Sequence, residues 1–232
     1  MEQPLDVLGQ AWLDYWEHGR ADPLWLHTSY DDEVEEMPVD HFFRTPADFP
    51  PLEHCALRLC QGKVLDVGAG VGVHATYLQQ KGQSVTTLEI SSVGVRIQQE
   101  RGVRQTVQGD YRTYEGQGFD TVLLLMNGVG VCGTIAGLRD LLRQARHWLK
   151  PAGRLVFDSS DVAYLYEGVP PADPYYGELC YCYEYRGQQG EWFPWLYIDA
   201  STLEAVASSE GWYTQKVFQD EHDQYVVLLT QM

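Results

Sequence analysis

The sequence contains no run of about 18 apolar residues, so it offers no candidate membrane-spanning helix. Its first residues, Met1-Glu2-Gln3-Pro4-Leu5-Asp6, carry neither a basic region nor an apolar stretch of secretory length, and a cytoplasmic chain is expected. Positive charge is scarce: 16 Lys and Arg stand against 33 Asp and Glu, a net charge of −17. Such a field repels phosphate backbones and anionic lipid at long range, which sets aside nucleic acid and membrane surfaces as partners. The five cysteines, Cys55, Cys60, Cys132, Cys180 and Cys182, are odd in number and lack C-x-x-C spacing. Neither a disulfide framework nor a zinc site is indicated, and reduced, mostly buried thiols are expected. The 232 residues are enough for one large domain that buries roughly 70 to 75% of its unfolded surface.

What the chain does have is Val64-Leu65-Asp66-Val67-Gly68-Ala69-Gly70-Val71-Gly72, an apolar run that ends in three alternate glycines and opens into a helical pattern. The run suits a buried strand of a parallel sheet, and glycines let the backbone turn sharply and approach a ligand without Cβ atoms in the way. The free N–H groups of the next helix then point into the crevice.

Around this loop strand and helix alternate. Helices are expected over residues 5–19, on a stripe of Leu5, Leu8, Trp12 and Tyr15 or Trp16, and over 53–61, 73–80, 91–100, 138–149 and 202–209. Strands are expected up to Val67 and over 85–89, 103–107, 119–126 and 154–157, with two closing strands at 212–218 and 225–230. The implied architecture is α/β and doubly wound: a mostly parallel seven-stranded sheet with an antiparallel C-terminal edge. Residues 22–51 show no clear period and read as loop or short helices, a flap over the fold. In 161–199 the alternation lapses, and period-two patterning in Leu179, Tyr181, Tyr183, Tyr185 and in Phe193, Trp195, Tyr197 marks an inserted aromatic β-hairpin around residues 187–190.

The loop is G-x-G-x-G with Asp66 two residues ahead, not the G-x-G-x-x-G of hydride cofactors, because position 73 is Val. In this it resembles the class I S-adenosylmethionine-dependent methyltransferases, and small uncharacterised bacterial members in particular. Three further strand ends match that family in order: Glu89-Ile90, Gly109-Asp110-Tyr111 and Met126-Asn127-Gly128. The resemblance covers residues 62 to about 160 and implies a Rossmann-like fold that binds S-adenosyl-L-methionine. It implies cofactor contacts from Asp66, Gly68, Gly70, Gly72, Glu89, Ile90, Asp110, Tyr111, Met126 and Asn127. Glu89 takes the ribose hydroxyls, Asp110 accepts from the adenine amine, and the end at Met126-Asn127 packs the methionine moiety. The whole chain, 1–232, is then one methyltransferase domain: a helical flap region 1–61, the cofactor core 62–160, the hairpin 161–199 as substrate cover, and a closing helix and strand pair 200–232.

The Asn/Asp-Pro-Pro-Tyr/Phe tetrad of amino-group members is absent, which weakens base or glutamine N-methylation. Metal-assisted catechol methylation would draw on Asn127, Asp158 and Asp161, but Met126 stands where that group has an acid, and no metal is expected. The expected acceptor is a small molecule and the expected state a monomer or homodimer. A general base is needed only for a nucleophile that arrives protonated, and Asp158, Asp161, Glu178 and Tyr181 are the candidates. Each has an equal structural alternative as a cap, strand flank or core residue. His74 is expected to pack or bond the loop. The cluster Glu221-His222-Asp223 looks catalytic by composition but is expected to lie away from the cofactor edge. The dense aromatics of 161–199 either line an acceptor pocket or extend the core. A non-catalytic cofactor-binding module and an NAD-dependent oxidoreductase are the rival readings.

Overall fold

A computed structural model of the chain describes residues 6–31 and 34–232. Helix α1 (Val7–His18) opens it: Asp6 accepts from Gly9 N as its N-cap, and Gly19 ends it in the left-handed region at φ 69°. Leu5, the first member of the expected apolar stripe, lies outside the described residues. Strands β1 (Leu24–Thr28) and β2 (Val34–Met37) follow, then two 3-10 turns and helix α2 (Pro51–Leu59). The α/β core comes next: β3 (Lys63–Val67), α3 (Val73–Gln80), β4 (Ser84–Glu89), α4 (Ser92–Glu100), β5 (Gln105–Gln108) and β6 (Phe119–Leu124). It continues through α5 (Ile135–Trp148) and β7 (Leu149–Ser160). Strands β8 (Glu178–Tyr185), β9 (Gln188–Gln189) and β10 (Phe193–Leu196) precede α6 (Ala200–Ser209), β11 (Trp212–Gln219) and β12 (Gln224–Gln231).

Seven strands form the main sheet in the order β11-β12-β7-β6-β3-β4-β5, parallel from β7 to β5 and antiparallel at β12 and β11. The chain winds outward from β3 to β5 and then returns to β6, so the strand order reverses beside β3, where α/β sheets open a ligand crevice at their carboxyl edge. Each face of the sheet carries its own core. Leu65, Val122, Leu124, Leu155 and Phe157 pack under α5 and α6 with Trp148 and Trp212. Val64, Leu123, Val156 and Val226 pack under α1 to α4 with Trp12, Leu52, Leu78 and Ile97.

The region 22–51 corrects the sequence reading, for it contains strands. Leu24, Leu26 and Thr28 are buried while Trp25 and His27 point away, and an outward Trp hides the period from a reading of apolarity. Strand β2 is an exposed edge, which its acids Glu35 and Glu36 suit. The hairpin is present, with β8 paired to β9 and β10, but it is no isolated insert. Strand β8 pairs with β1, giving a second, antiparallel sheet in the order β10-β8-β1-β2. The main sheet also shows smaller shifts: β5 begins at Gln105, β6 stops at Leu124, and β7 runs on to Ser160.

The second sheet is seated on the carboxyl edge through the 3-10 turn Gly128–Cys132 that follows β6. Asn127 Nδ2 donates to Leu196 O at 3.1 Å, and a Cβ on Gly130 would come within 2.2 Å of the Trp195 indole. Gly130→Ala must therefore lift β10 from this turn, and overpacking of this kind costs about 1–3 kcal/mol. Chemical denaturation is expected to show that loss; wild-type stability in the variant would mean that the sheet is not seated there.

Candidate active site

Gly68, Gly70 and Gly72 all hold positive φ (69°, 53° and 81°), a sequence of turns that only glycine takes without strain. The turn places Gly70 N on the carboxylate at the end of β4. Glu89 Oε2 accepts from Gly70 N at 2.7 Å, and its Oε1 accepts from Ser91 N at 2.9 Å. Glu89 thus joins the glycine loop to the start of α4, with one lone-pair position left on each oxygen. It is buried, and burial pushes its carboxyl up to about 7 against the pull of the Ser91 and Gly70 N–H groups. Ser91 in turn donates to Asp6, the cap of α1, which brings α1 over the loop. Trp12 of that helix lies 3.8 Å from where a Gly70 Cβ would sit.

Next along the edge, Ile90 presents an apolar side chain that is 69% exposed. Asp110 caps the turn Tyr111–Thr113, accepting from Arg112 N at 2.9 Å and pairing with the Arg112 guanidinium at 3.1 Å. Tyr111 is buried beneath it. Beyond β6, Met126 and Asn127 both adopt left-handed φ, 64° and 53°, a costly conformation for Met. The Asn127 side chain is fully engaged: Nδ2 donates to Leu196 O, and Oδ1 accepts from Ser159 Oγ at 3.0 Å. Its backbone N–H donates to Asp158 Oδ2 at 2.9 Å.

Two carboxylates on the α2/α3 face of the sheet stand apart. Strand alternation puts Asp66 with Val64, and Asp158 with Val156, on that face. Both are buried, and among the described residues Asp66 Oδ2 and Asp158 Oδ1 have no hydrogen-bond partner. Burial pushes each carboxyl up to about 6, with His74 offsetting part of this at Asp66 and the Asn127 N–H part of it at Asp158. Trp12 Nε1 is a third buried atom without a partner. Asp66 and the glycines were legible from spacing; Trp12 read only as a helix stripe.

Close by, a compensated group shows the contrast. Glu53 Oε1 pairs with Arg44 at 2.7 Å and Glu53 Oε2 meets His74 Nε2 at 2.7 Å, all three side chains nearly buried. Burial raises the Glu53 carboxyl, but His74 and Arg44 outweigh it and hold it below its ordinary value. His74 therefore bonds a neighbouring helix and packs against the Phe49 ring at 5.1 Å, the packing role that the sequence offered beside loop bonding; Glu53 and Arg44 carried no sequence signal, since their pairing is purely tertiary.

Of the base candidates, Asp158 alone keeps a free buried oxygen. Asp161 accepts from Ala163 N at 2.9 Å and Tyr176 OH at 2.7 Å. Glu178 accepts from Ile135 N at 2.8 Å, at the start of α5. Tyr181 donates to Tyr197 OH at 3.3 Å, and burial keeps its hydroxyl protonated. The turn bearing Glu221, His222 and Asp223 corrects another expectation. Gln224 pairs with Ser160 at the carboxyl end of β7, so the turn lies at the cofactor edge, although Glu221 and His222 face solvent. Among the described residues no three His, Cys, Asp or Glu side chains converge as a metal-binding group.

The doubly wound sheet, the glycine loop and the strand-end acids together define a nucleoside-binding α/β enzyme edge. A methyltransferase-domain family model matches residues 65–157. The crystal structure of a SAM-dependent methyltransferase from Bacteroides fragilis, in complex with S-adenosyl-L-homocysteine, is 35% identical, with a TM-score of 0.91 over 99% of this chain and 98% of that one. The fold is shared, at lower identity, by the CcbJ methyltransferase from Streptomyces caelestis (17% identity, TM-score 0.62, 83% of this chain and 95% of that one). The PH0226 protein from Pyrococcus horikoshii OT3 is comparable (18%, 0.61, 78% and 88%). Curated proteins give no match. The chain belongs to the SAM-dependent methyltransferases.

The Asp66 carboxyl gives a pH test. Its folded pKa of about 6 stands above the ordinary 3.8, so its contribution to stability is whole below 3.8 and lost as pH rises through about 6. Asp66→Asn removes that charge, so at pH 8 the ligand-free variant is expected to be more stable than wild type, with the gap closing towards pH 4. Denaturation at the two pH values checks this; a gap independent of pH would contradict it.

Proposed function

We propose that residues 1–232 act as one catalytic domain, transferring the methyl group of S-adenosyl-L-methionine to a small-molecule acceptor by in-line displacement. The observation that carries the reading is the set of unsatisfied buried groups beside the glycine loop. Asp66 Oδ2 is an acceptor and Trp12 Nε1 a donor, and a buried polar atom left unpaired costs about 1–3 kcal/mol. A methionine zwitterion and a ribose supply what they lack: an ammonium group for Asp66 and an oxygen for Trp12. Glu89 keeps lone pairs for the ribose hydroxyls, Ile90 offers an apolar flank to the adenine, and Asp110 accepts from its amine. Gly68, Gly70 and Gly72 leave room for the cofactor backbone, with Tyr111, Met126 and Asn127 completing the wall.

The cofactor, when bound, supplies an activated methyl group on a sulfonium. The chain's own part is alignment and exclusion of water, which contribute on the order of 7–11 kcal/mol in well-oriented reactions. The second sheet supports a cover for an acceptor over β6 and β7, beside the cofactor over β3 to β5. The net charge of −17 favours a small molecule over a nucleic acid. Among the described residues no helix is long and apolar enough to cross a membrane. Action in the cytoplasm, as a monomer or homodimer, is part of the proposal.

Calorimetry separates this reading from its rivals. S-Adenosylhomocysteine is expected to bind and NAD not to, and Glu89→Ala is expected to weaken S-adenosylhomocysteine by about 1–2 kcal/mol. Binding of NAD alone would overturn the proposal, and an unchanged affinity in Glu89→Ala would remove that residue from the site.

A further inference from the structure

The second sheet meets the end of β7 beside Asp158: Asn127, whose N–H holds Asp158 Oδ2, also donates to Leu196 O, and Ile198 N donates to Ser159 Oγ at 3.1 Å. Residues opposite one another in an antiparallel pair share a face. The registers align Glu35 with Leu26 and Leu26 with Tyr183 in one row, and Thr28 with Tyr181 and Tyr181 with Phe193 in the next. Phe193 lies 5.5 Å from Tyr183 and 6.3 Å from Tyr181, centroid to centroid. Tyr197, two residues beyond Trp195 on the same side, packs edge-on against Tyr181 at 6.4 Å and accepts its hydroxyl. Tyr30 donates to Glu35 Oε1 at 3.3 Å. Burial raises the Tyr197 hydroxyl against the hydrogen bond from Tyr181, and the charges of Glu35 and Asp158 add to the rise.

The result is an aromatic cluster on one face of the second sheet, with an exposed acid, Glu35, on its edge strand and a buried one, Asp158, at the neighbouring end of β7. Among the described residues neither acid pairs with a Lys or Arg. Asp158 is more than nine-tenths buried, and its Oδ1 lacks a partner. That oxygen lacks a donor, and an anionic acceptor would be repelled. An ammonium group supplies the donor, opposes the negative charge of both acids, which a neutral hydroxyl does not, and finds tyrosine faces for cation–π contact.

We propose that the methyl acceptor is a cationic amine, its ammonium group held between the tyrosine face of the second sheet and the carboxylates of Glu35 and Asp158. The proposal rests on the methyltransferase reading above. The ammonium passes one proton to Asp158 Oδ1, leaving a nitrogen lone pair. That pair forms the N–CH3 bond as the S–CH3 bond breaks, and the electrons of the broken bond return to sulfur. The products are S-adenosylhomocysteine and the methylated ammonium, and the proton on Asp158 then leaves to solvent.

The test uses the full chain saturated with S-adenosylhomocysteine and three probes of one shape: choline, its neutral isostere 3,3-dimethylbutanol, and the anion 3,3-dimethylbutanoate. Choline is expected to bind about tenfold or more tightly than the alcohol, and the carboxylate weakest of all. Glu35→Gln, at an exposed position that the fold does not depend on, is expected to weaken choline severalfold; titrating S-adenosylhomocysteine into the variant confirms that it is folded. No binding by any probe, equal binding of choline and either other probe, or an unchanged choline affinity in Glu35→Gln overturns the proposal. Failure of wild-type chain to bind S-adenosylhomocysteine overturns the methyltransferase reading instead.

Discussion

Three carboxylates buried at one edge of a parallel sheet, none of them paired with a cation among the described residues, are the constraint around which the rest of the molecule is arranged. A buried charge without partners is expensive, and backbone N–H groups are the only donors a strand end can recruit without adding charge. Glu89 is served by two of them, which requires the glycine loop to turn through positive φ and α4 to begin at Ser92. Asp158 is served on Oδ2 by the N–H of Asn127, and the consecutive left-handed residues Met126 and Asn127 deliver it. Asp66 Oδ2 is served by none among the described residues. The strain after β6 and the deficit at Asp66 are therefore aspects of one arrangement, which the proposed cofactor would complete.

The neighbouring Arg44–Glu53–His74 group shows what the same burial looks like when the chain supplies the charges itself. Its acid is held ionised, and its role is to fasten α2 to α3 and the preceding turn. Removing one partner from such a buried pair typically costs about 3–5 kcal/mol, far more than the satisfied group adds to stability. Compensation marks the structural carboxylate, and its absence marks the carboxylates proposed to face a ligand. Burial alone does not distinguish them, since Glu53 and Asp66 are equally hidden.

The features that were readable from sequence are those set by local spacing. The glycine loop and the strand-end acids depend on residues a few positions apart, and strands buried on both faces announce themselves as apolar runs. What was not readable depends on partners far along the chain. Strand β1 has its period masked by an outward Trp25, and β2 is too polar to look like a strand until β1 lies beside it. The hairpin was visible by its alternation, but its bond to the N-terminal region was not, and so neither was the aromatic cluster that the two build together. The turn at 220–223 was placed at the wrong end of the sheet because only the observed pairing of Gln224 with Ser160 fixes which end it occupies.

The second sheet is also a closure in sequence. Its central pair joins Leu24 to Tyr185, segments separated by most of the chain. Non-local pairing pays its loop-closure entropy before it gains contacts, and the parallel core between those strands is the element that shortens the gap. Strand β1 thus emerges early in synthesis and waits longest for its neighbour, with the edge of β2 exposed meanwhile and guarded by its own acids against pairing with another chain. The acidic edge proposed to face a ligand in the finished protein is, during folding, a protection against aggregation.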